Sequence, residues 1–205
     1  PASLETLGTA AFNGCTKLKT VTVADGSQLQ MVGQSSFAGC TSLESFQFLG
    51  SCVAVTIGKN AFSGDTKLPT FTIPATVTTI EEGAFNGCSA MTSVTFDTPA
   101  RITTIGAGAF QNAGLLSIHL PESVTTIEQS AFNSCQKLTK IDIPAATTSI
   151  DPKAFQFCGS LTELNADPGN PKYSSVDGFL LSKDKKTLIA FPPGKASTYY
   201  TMLPP

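Results

Sequence analysis

The sequence predicts an α/β repeat solenoid: a right-handed superhelix with a concave parallel β-sheet, short helical turns on its outer side and a C-terminal β-hairpin. Three observations predict it. Nearly the same phrase recurs seven times along the 205 residues. Each copy holds two short segments with strand periodicity. The period then breaks near Asp167, where turn residues and a hairpin pattern take over.

Phe12, Phe37, Phe62, Phe85, Phe110, Phe132 and Phe155 anchor the repeat, with successive gaps of 25, 25, 23, 25, 22 and 23 residues. Ala precedes each except Phe37, which follows Ser36. Three residues after the Phe stands Cys15, Cys40, Cys88, Cys135 or Cys158, replaced by Asp65 and Ala113 in two copies. Three further on comes Leu18, Leu43, Leu68, Met91, Leu138 or Leu161; the fifth copy is one residue shorter and uses Leu115. A period in this range with fixed apolar positions is that of leucine-rich repeats, each copy being one coil of a stack.

Each coil reads physically. In "LKTVTV" (18–23), Leu18, Val21 and Val23 turn inward and Thr22 outward, and "MTSVTF" (91–96) and "LTKIDI" (138–143) repeat the pattern. This is period-2 alternation in β-branched residues. Pro74, Pro121 and Pro144 end three of these segments, because Pro cannot donate to a ladder. "VTTI" at 77–80 and 124–127 and "ITTI" at 102–105 supply a second short strand with its end residues inward. A small-residue turn and "AF" follow, read as one helical turn with Phe and Cys inward. Each Phe is expected to sit over the Phe of the coil before it, and Leu18, Leu43 and Leu68 to form another buried column. No coil can bury its face alone, so the repeats fold together.

"VTTIEEGAFNGCSAMTSVTF" (77–96) and "VTTIEQSAFNSCQKLTKIDIP" (124–144) resemble the BspA-like leucine-rich repeats of bacterial surface proteins. The resemblance covers about 1–166 and continues into "NPKYSSVDGFLLSKDKKTLIAFPPGK" (170–195), which looks like the hairpin insertion these proteins carry between repeat blocks. It implies an extracellular or cell-surface adhesion and interaction module without catalysis. Copies one, two and four depart from it by longer returns, and "LTELNA" ends in Ala166 where an aliphatic residue is expected.

The expected division is a solenoid over 1–166, a β-hairpin extension over 167–198 packed on the last coil, and the start of a further repeat over 199–205. The hairpin is placed at 179–191, with Phe179, Leu181, Leu188 and Phe191 toward the last coil and Lys183, Lys185 and Lys186 at a solvated tip. "YYTMLPP", with Tyr200, Met202 and Leu203, reads as an interrupted eighth coil, so the natural protein is expected to continue.

Composition narrows the function. Charged residues are 14% and the net charge is −2, which argues against nucleic acid, where many Lys and Arg must neutralise phosphates. No apolar run approaches the ~20 residues that span a bilayer. The only histidine, His119, alternates with Ile118 and Leu120 and so points outward. No nucleophile–base–orienter set accompanies it, "GAGAFQ" (106–111) opens an ordinary turn, and no cysteine spacing suits zinc. No catalytic residue, metal or cofactor is therefore expected. The six cysteines fit either a disulfide ladder or buried free thiols; substitution by Asp65 and Ala113 favours thiols, with Cys52 lying apart. The outward pairs Thr78/Thr79, Thr103/Thr104 and Thr125/Thr126 should stack across coils, which β-propensity and solubility explain better than an ice-ordering surface.

The expected contact face is the concave sheet. Its central outward column is Thr22, Gln47, Thr72, Thr95, His119, Asp142 and Asn165, flanked by Lys140 and Glu163 and by Lys19, Glu44, Thr92 and Leu116. It carries no cluster of Trp, Tyr or Arg anchors, so weak contact multiplied over repeats is the expected mode. The expected partner is a protein or glycan on a host or neighbouring cell, met by a monomer. The competing expectation is a structural spacer that holds another domain away from the cell.

Overall fold

The structure is a computed structural model, and it describes residues 3–50, 53 and 56–195. The chain forms a parallel β-solenoid of about seven turns. The short segments Thr6–Leu7, Met31–Val32, Thr56–Ile57, Thr79–Ile80, Thr104–Ile105, Thr126–Ile127 and Ser149–Ile150 pair in that order as one seven-stranded parallel sheet. Val32, Ile57, Ile80, Ile105 and Ile127 point into the core. Thr79, Thr104 and Thr126 align in register on the other side, as the Thr pairs predicted.

The longer strands pair only two by two: Thr20–Val23 with Ser45–Phe48, Thr70–Ile73 with Ser93–Phe96, and Lys140–Ile143 with Glu163–Ala166. The uninterrupted sheet therefore runs through the short strands, not through the strands expected to build it. One break has a covalent cause. Just after the inward Leu or Met, the amides of Glu44, Thr92, Leu116 and Thr162 donate to the coil before at 2.8, 2.8, 3.0 and 2.9 Å. Coil three has Pro69 at that position, which has no N–H to give. In the shortened fifth copy a single bridge, Ile118 to Ile141, joins the next strand.

The expected helical turns are absent: among the described residues there is no helix. Two residues after the Phe, Gly14, Gly39, Gly64, Gly87, Asn112, Ser134 and Phe157 have positive φ. Two residues before it, Ala10, Ser35, Asn60, Gly83, Gly108 and Ser130 do as well. A right-handed helix cannot contain these conformations. The amides between them point along the stack instead. Phe37 N donates to Ala61 O, Phe62 N to Ala84 O and Phe85 N to Ala109 O, each at 2.8 Å.

The aromatic column is present. Successive rings from Phe12 to Phe155 stack with centroids 5.0, 5.4, 5.3, 5.4, 5.6 and 6.0 Å apart and planes within 12°. In the first half, Phe46 and Phe71 meet the column edge-on at 4.9–5.2 Å, a favoured aromatic geometry. Val94, Ile118, Ile141 and Leu164 replace them farther on. The expectation of uniform burial fails at the first coil: Phe12 is 39% exposed, Cys15 is exposed and Leu18 is only half-buried. Within the chain that coil has a neighbour on one side only.

Beyond the seventh coil lies a three-stranded antiparallel unit: Tyr173–Val176, Phe179–Ser182 and Leu188–Ala190. The expected hairpin is there, but its first partner strand comes from a segment read as turn. Its inward face is also the opposite one. Leu180 and Ala190 enter the core, while Leu188 is 44% and Phe191 39% exposed. In a strand, a one-residue offset moves every side chain to the other face. Cys52 and the segment 199–205, expected to begin a further coil with Tyr200, Met202 and Leu203, lie outside the described residues.

Candidate functional site

Strand alternation puts the expected column on one face. Thr22 lies beside Gln47, Thr72 beside Thr95 and Asp142 beside Asn165 by strand register. The Ile118–Ile141 bridge extends the line to His119. Thr22, Gln47, Thr72, Thr95, His119, Lys140 and Glu163 are exposed, and Asp142 and Asn165 half-buried. The interrupted ladder divides this column into segments. Thr72 and Thr95 share a 3.0 Å hydroxyl–hydroxyl hydrogen bond.

Toward the C-terminal end the face deepens into a notch of about 310 Å³. It gathers His119, Asp142 and Asn165 with Glu122 and Asp167, against walls of Leu120, Ile143, Pro144, Ala166 and Pro168. Lys140 Nζ lies 3.1 Å from Asp142 Oδ1. Asn165 Nδ2 donates to Glu163 Oε2 at 3.1 Å and to Asp142 Oδ1 at 3.4 Å. Asp167 Oδ1 accepts the Gly169 amide at 2.7 Å. The walls are apolar because each strand ends inward, at Leu120, Ile143 or Ala166, and a Pro or Asp then turns the chain. The notch therefore offers hydrogen-bonding groups around an apolar lining. Sequence reasoning missed Glu122 and Asp167, because both follow the strands instead of lying on them. Their signal was their place beside Pro121 and Pro168, where the chain leaves the sheet.

A second depression, of about 300 Å³, lies over the short strands among Lys59, Glu81, Glu82, Thr104 and Glu128. Its carboxylates have structural work. Glu81 Oε2 accepts the Lys59 amide at 2.8 Å, Glu128 Oε2 accepts the Ala107 amide at 2.9 Å, and Glu82 pairs with Lys59 Nζ at 2.7 Å.

The cysteines form a line inside the stack, all free among the described residues. The thiols of Cys40, Cys88, Cys135 and Cys158 donate to the carbonyls of Phe12, Phe62, Phe110 and Phe132 at 3.1, 3.1, 3.0 and 3.0 Å. Burial pushes Cys40 and Cys158 up to about 11 and raises Cys88 and Cys135 further. These are inert structural thiols. Among the described residues no group of three or more His, Cys, Asp or Glu is placed to hold a metal ion.

The chain matches the pattern of the BspA type leucine rich repeat region in six copies, over residues 1–97 and 55–175. A leucine rich cell surface protein from Faecalibacterium prausnitzii A2-165 superposes with a TM-score of 0.75 at 28% identity, over 92% of this chain and 50% of that one. A leucine-rich repeat protein from Eubacterium ventriosum gives 0.70 at 24% identity, over 77% and 41%. The pneumococcal vaccine antigen PcpA gives 0.59 at 23% identity, over 95% and 51%. This chain thus spans about half the length of these proteins or less. Curated proteins yield no match.

Proposed function

From the premise that the chain belongs to the BspA-type leucine-rich-repeat family, we propose that it is a non-enzymatic interaction module of a bacterial cell-surface or secreted protein. In this reading it binds a protein or glycan partner through the long-strand face, centred on the notch at His119, Asp142 and Asn165. Family and fold point to an interaction or structural role. The cell-surface placement follows the F. prausnitzii protein, which is described in those terms. The observation that carries the choice of site is the notch itself, where the predicted outward column becomes concave and mixes polar groups with apolar walls. The remaining column is shallow and neutral from Thr22 to Thr95, which suits low-affinity contact repeated along a longer array.

The test is a binding screen of the purified chain against arrayed glycans and extracellular-matrix proteins, with two variants. Asn165→Arg fills the notch; Thr22→Arg places the same charge at the far end of the column. Any partner found should lose at least tenfold affinity for Asn165→Arg and much less for Thr22→Arg. Equal binding by all three chains would overturn this site.

A second reading, a spacer for another domain, is favoured by the lack of Trp in the whole chain and by the unbroken ring stack along the coils. In that reading neither variant changes adhesion by the full-length protein.

A further inference from the structure

The thiol line is interrupted twice, by the methyl group of Ala113 and by a carboxyl group that can carry charge. Asp65 occupies the Cys position of coil three, between Cys40 and Cys88, and is fully buried. Neither carboxyl oxygen has a well-formed hydrogen bond; the Cys40 amide, which pulls weakly on it, already donates to Phe37 O at 3.0 Å. In the four cysteine coils the thiol donates to the Phe carbonyl of the coil before. A carboxylate has no proton to give, so at Asp65 only the protonated acid is compatible with that site. The titratable groups facing it from the neighbouring coils are Cys40 and Cys88, and a charge on Asp65 raises both. Among the described residues no ion pair reaches it, and Lys59 of coil three is engaged by Glu82.

We propose that Asp65 makes the third coil a built-in opening point, closed while the buried acid keeps its proton and loosened as that proton is lost with rising pH. The direction follows from linkage. Burial raises the Asp65 carboxyl from 3.8 to about 8, against a smaller opposing pull from the Cys40 backbone. The closed coil thus holds a proton that the opened coil releases. Opening becomes easier as pH climbs through that window, and the effect levels off above it. Opening exposes Cys40 and Cys88 to solvent, while Cys135, between Ala113 and Cys158, has no carboxyl beside it in the line. The stack then yields first at one interior position, next to the Pro69 break in the strand ladder.

The chain supplies its own control. Cys88 and Cys135 are both fully buried and both donate to a Phe carbonyl. The purified protein is labelled with a maleimide from pH 5.5 to 8.5, and the rates at Cys88 and Cys135 are read peptide by peptide by mass spectrometry. Their ratio cancels the common dependence on thiolate concentration. The ratio should rise by up to about tenfold per pH unit and flatten near pH 8. In Asp65→Ala, which copies the small side chain of Ala113, the ratio should stay flat. A flat ratio in the natural chain, or the same rise in Asp65→Ala, would overturn the proposal. Backbone amide exchange at Leu68 and Leu138 in the natural chain gives the same comparison without labels or variants.

Discussion

The same position in each coil shows what one residue can do inside a stack. A Cys there donates a weak second hydrogen bond to a Phe carbonyl that already accepts a backbone amide, and it fills the space of a small hydrophobe. Ala113 fills the space without the bond. These differences fix reactivity. Among the five described cysteines, Cys15 is exposed and the other four are buried. At pH 7 one thiol of these five should react quickly with a maleimide, and the other four only as the fold opens. All six cysteines of the chain should titrate after denaturation without reductant; recovery of two or fewer would reveal a disulfide ladder. Phe157 is the opposite case. It takes the left-handed turn position that four coils give to Gly, and it is 67% exposed. Nothing in its packing offsets that backbone cost.

At the scale of elements, the antiparallel unit is tied to the last coil by a few polar groups. Buried Asn170 donates to the carbonyls of Pro144 and Thr147 and accepts the amides of Lys172 and Tyr173, each at 2.8 Å. Tyr173 Oη accepts the Ile150 amide at 3.0 Å, at the edge of the seven-stranded sheet. We expect Asn170→Ala to cost about 3 kcal/mol, because four backbone groups, three of them buried, lose a partner. Tyr173→Phe should cost about 1–3 kcal/mol, with faster exchange of the Ile150 amide. If both variants melt with the parent chain, the unit is an independent appendage and does not cover the edge.

These elements also show what the sequence made legible. The Phe, Cys and inward aliphatic positions repeat, and repetition marks what every coil must bury. The long-strand column at Thr22, Gln47, Thr72 and Thr95 was readable for the same reason, since alternation fixes a face. The turns were misread as helical, although Gly14, Gly39, Gly64 and Gly87 recur two residues past each Phe and each asks for positive φ. The third strand of the antiparallel unit, Tyr173–Val176, was not foreseen; the hairpin was placed by two apolar runs around 183–186 and by the family resemblance. Its inward face was missed because Phe179, Leu180, Leu181 and then Leu188, Ile189, Ala190 are apolar runs with no alternation to set a register. Glu122 and Asp167 were missed because the notch is made by chain ends of neighbouring strands, a relation no single repeat displays.

At the scale of the whole molecule, stability comes from neighbours. Each ring in the Phe line touches the ring before and after it, and the turn amides bond from each coil to the next. Such a stack is approximately a sum of coil and interface contributions, so damage to a central coil weakens two interfaces at once. The notch depends on this as well: His119, Asp142 and Asn165 come from three successive coils and meet only if those coils stay in register. Phe85 is the central test point, fully buried and stacked at 5.3 Å on Phe62 and 5.4 Å on Phe110. The measurement is denaturant unfolding of Phe85→Ala against the parent chain. A stacked column predicts a loss of about 3–5 kcal/mol, the range for Phe truncated in a packed core. A loss below about 1 kcal/mol, the size expected of a surface change, would contradict the column and the register built on it.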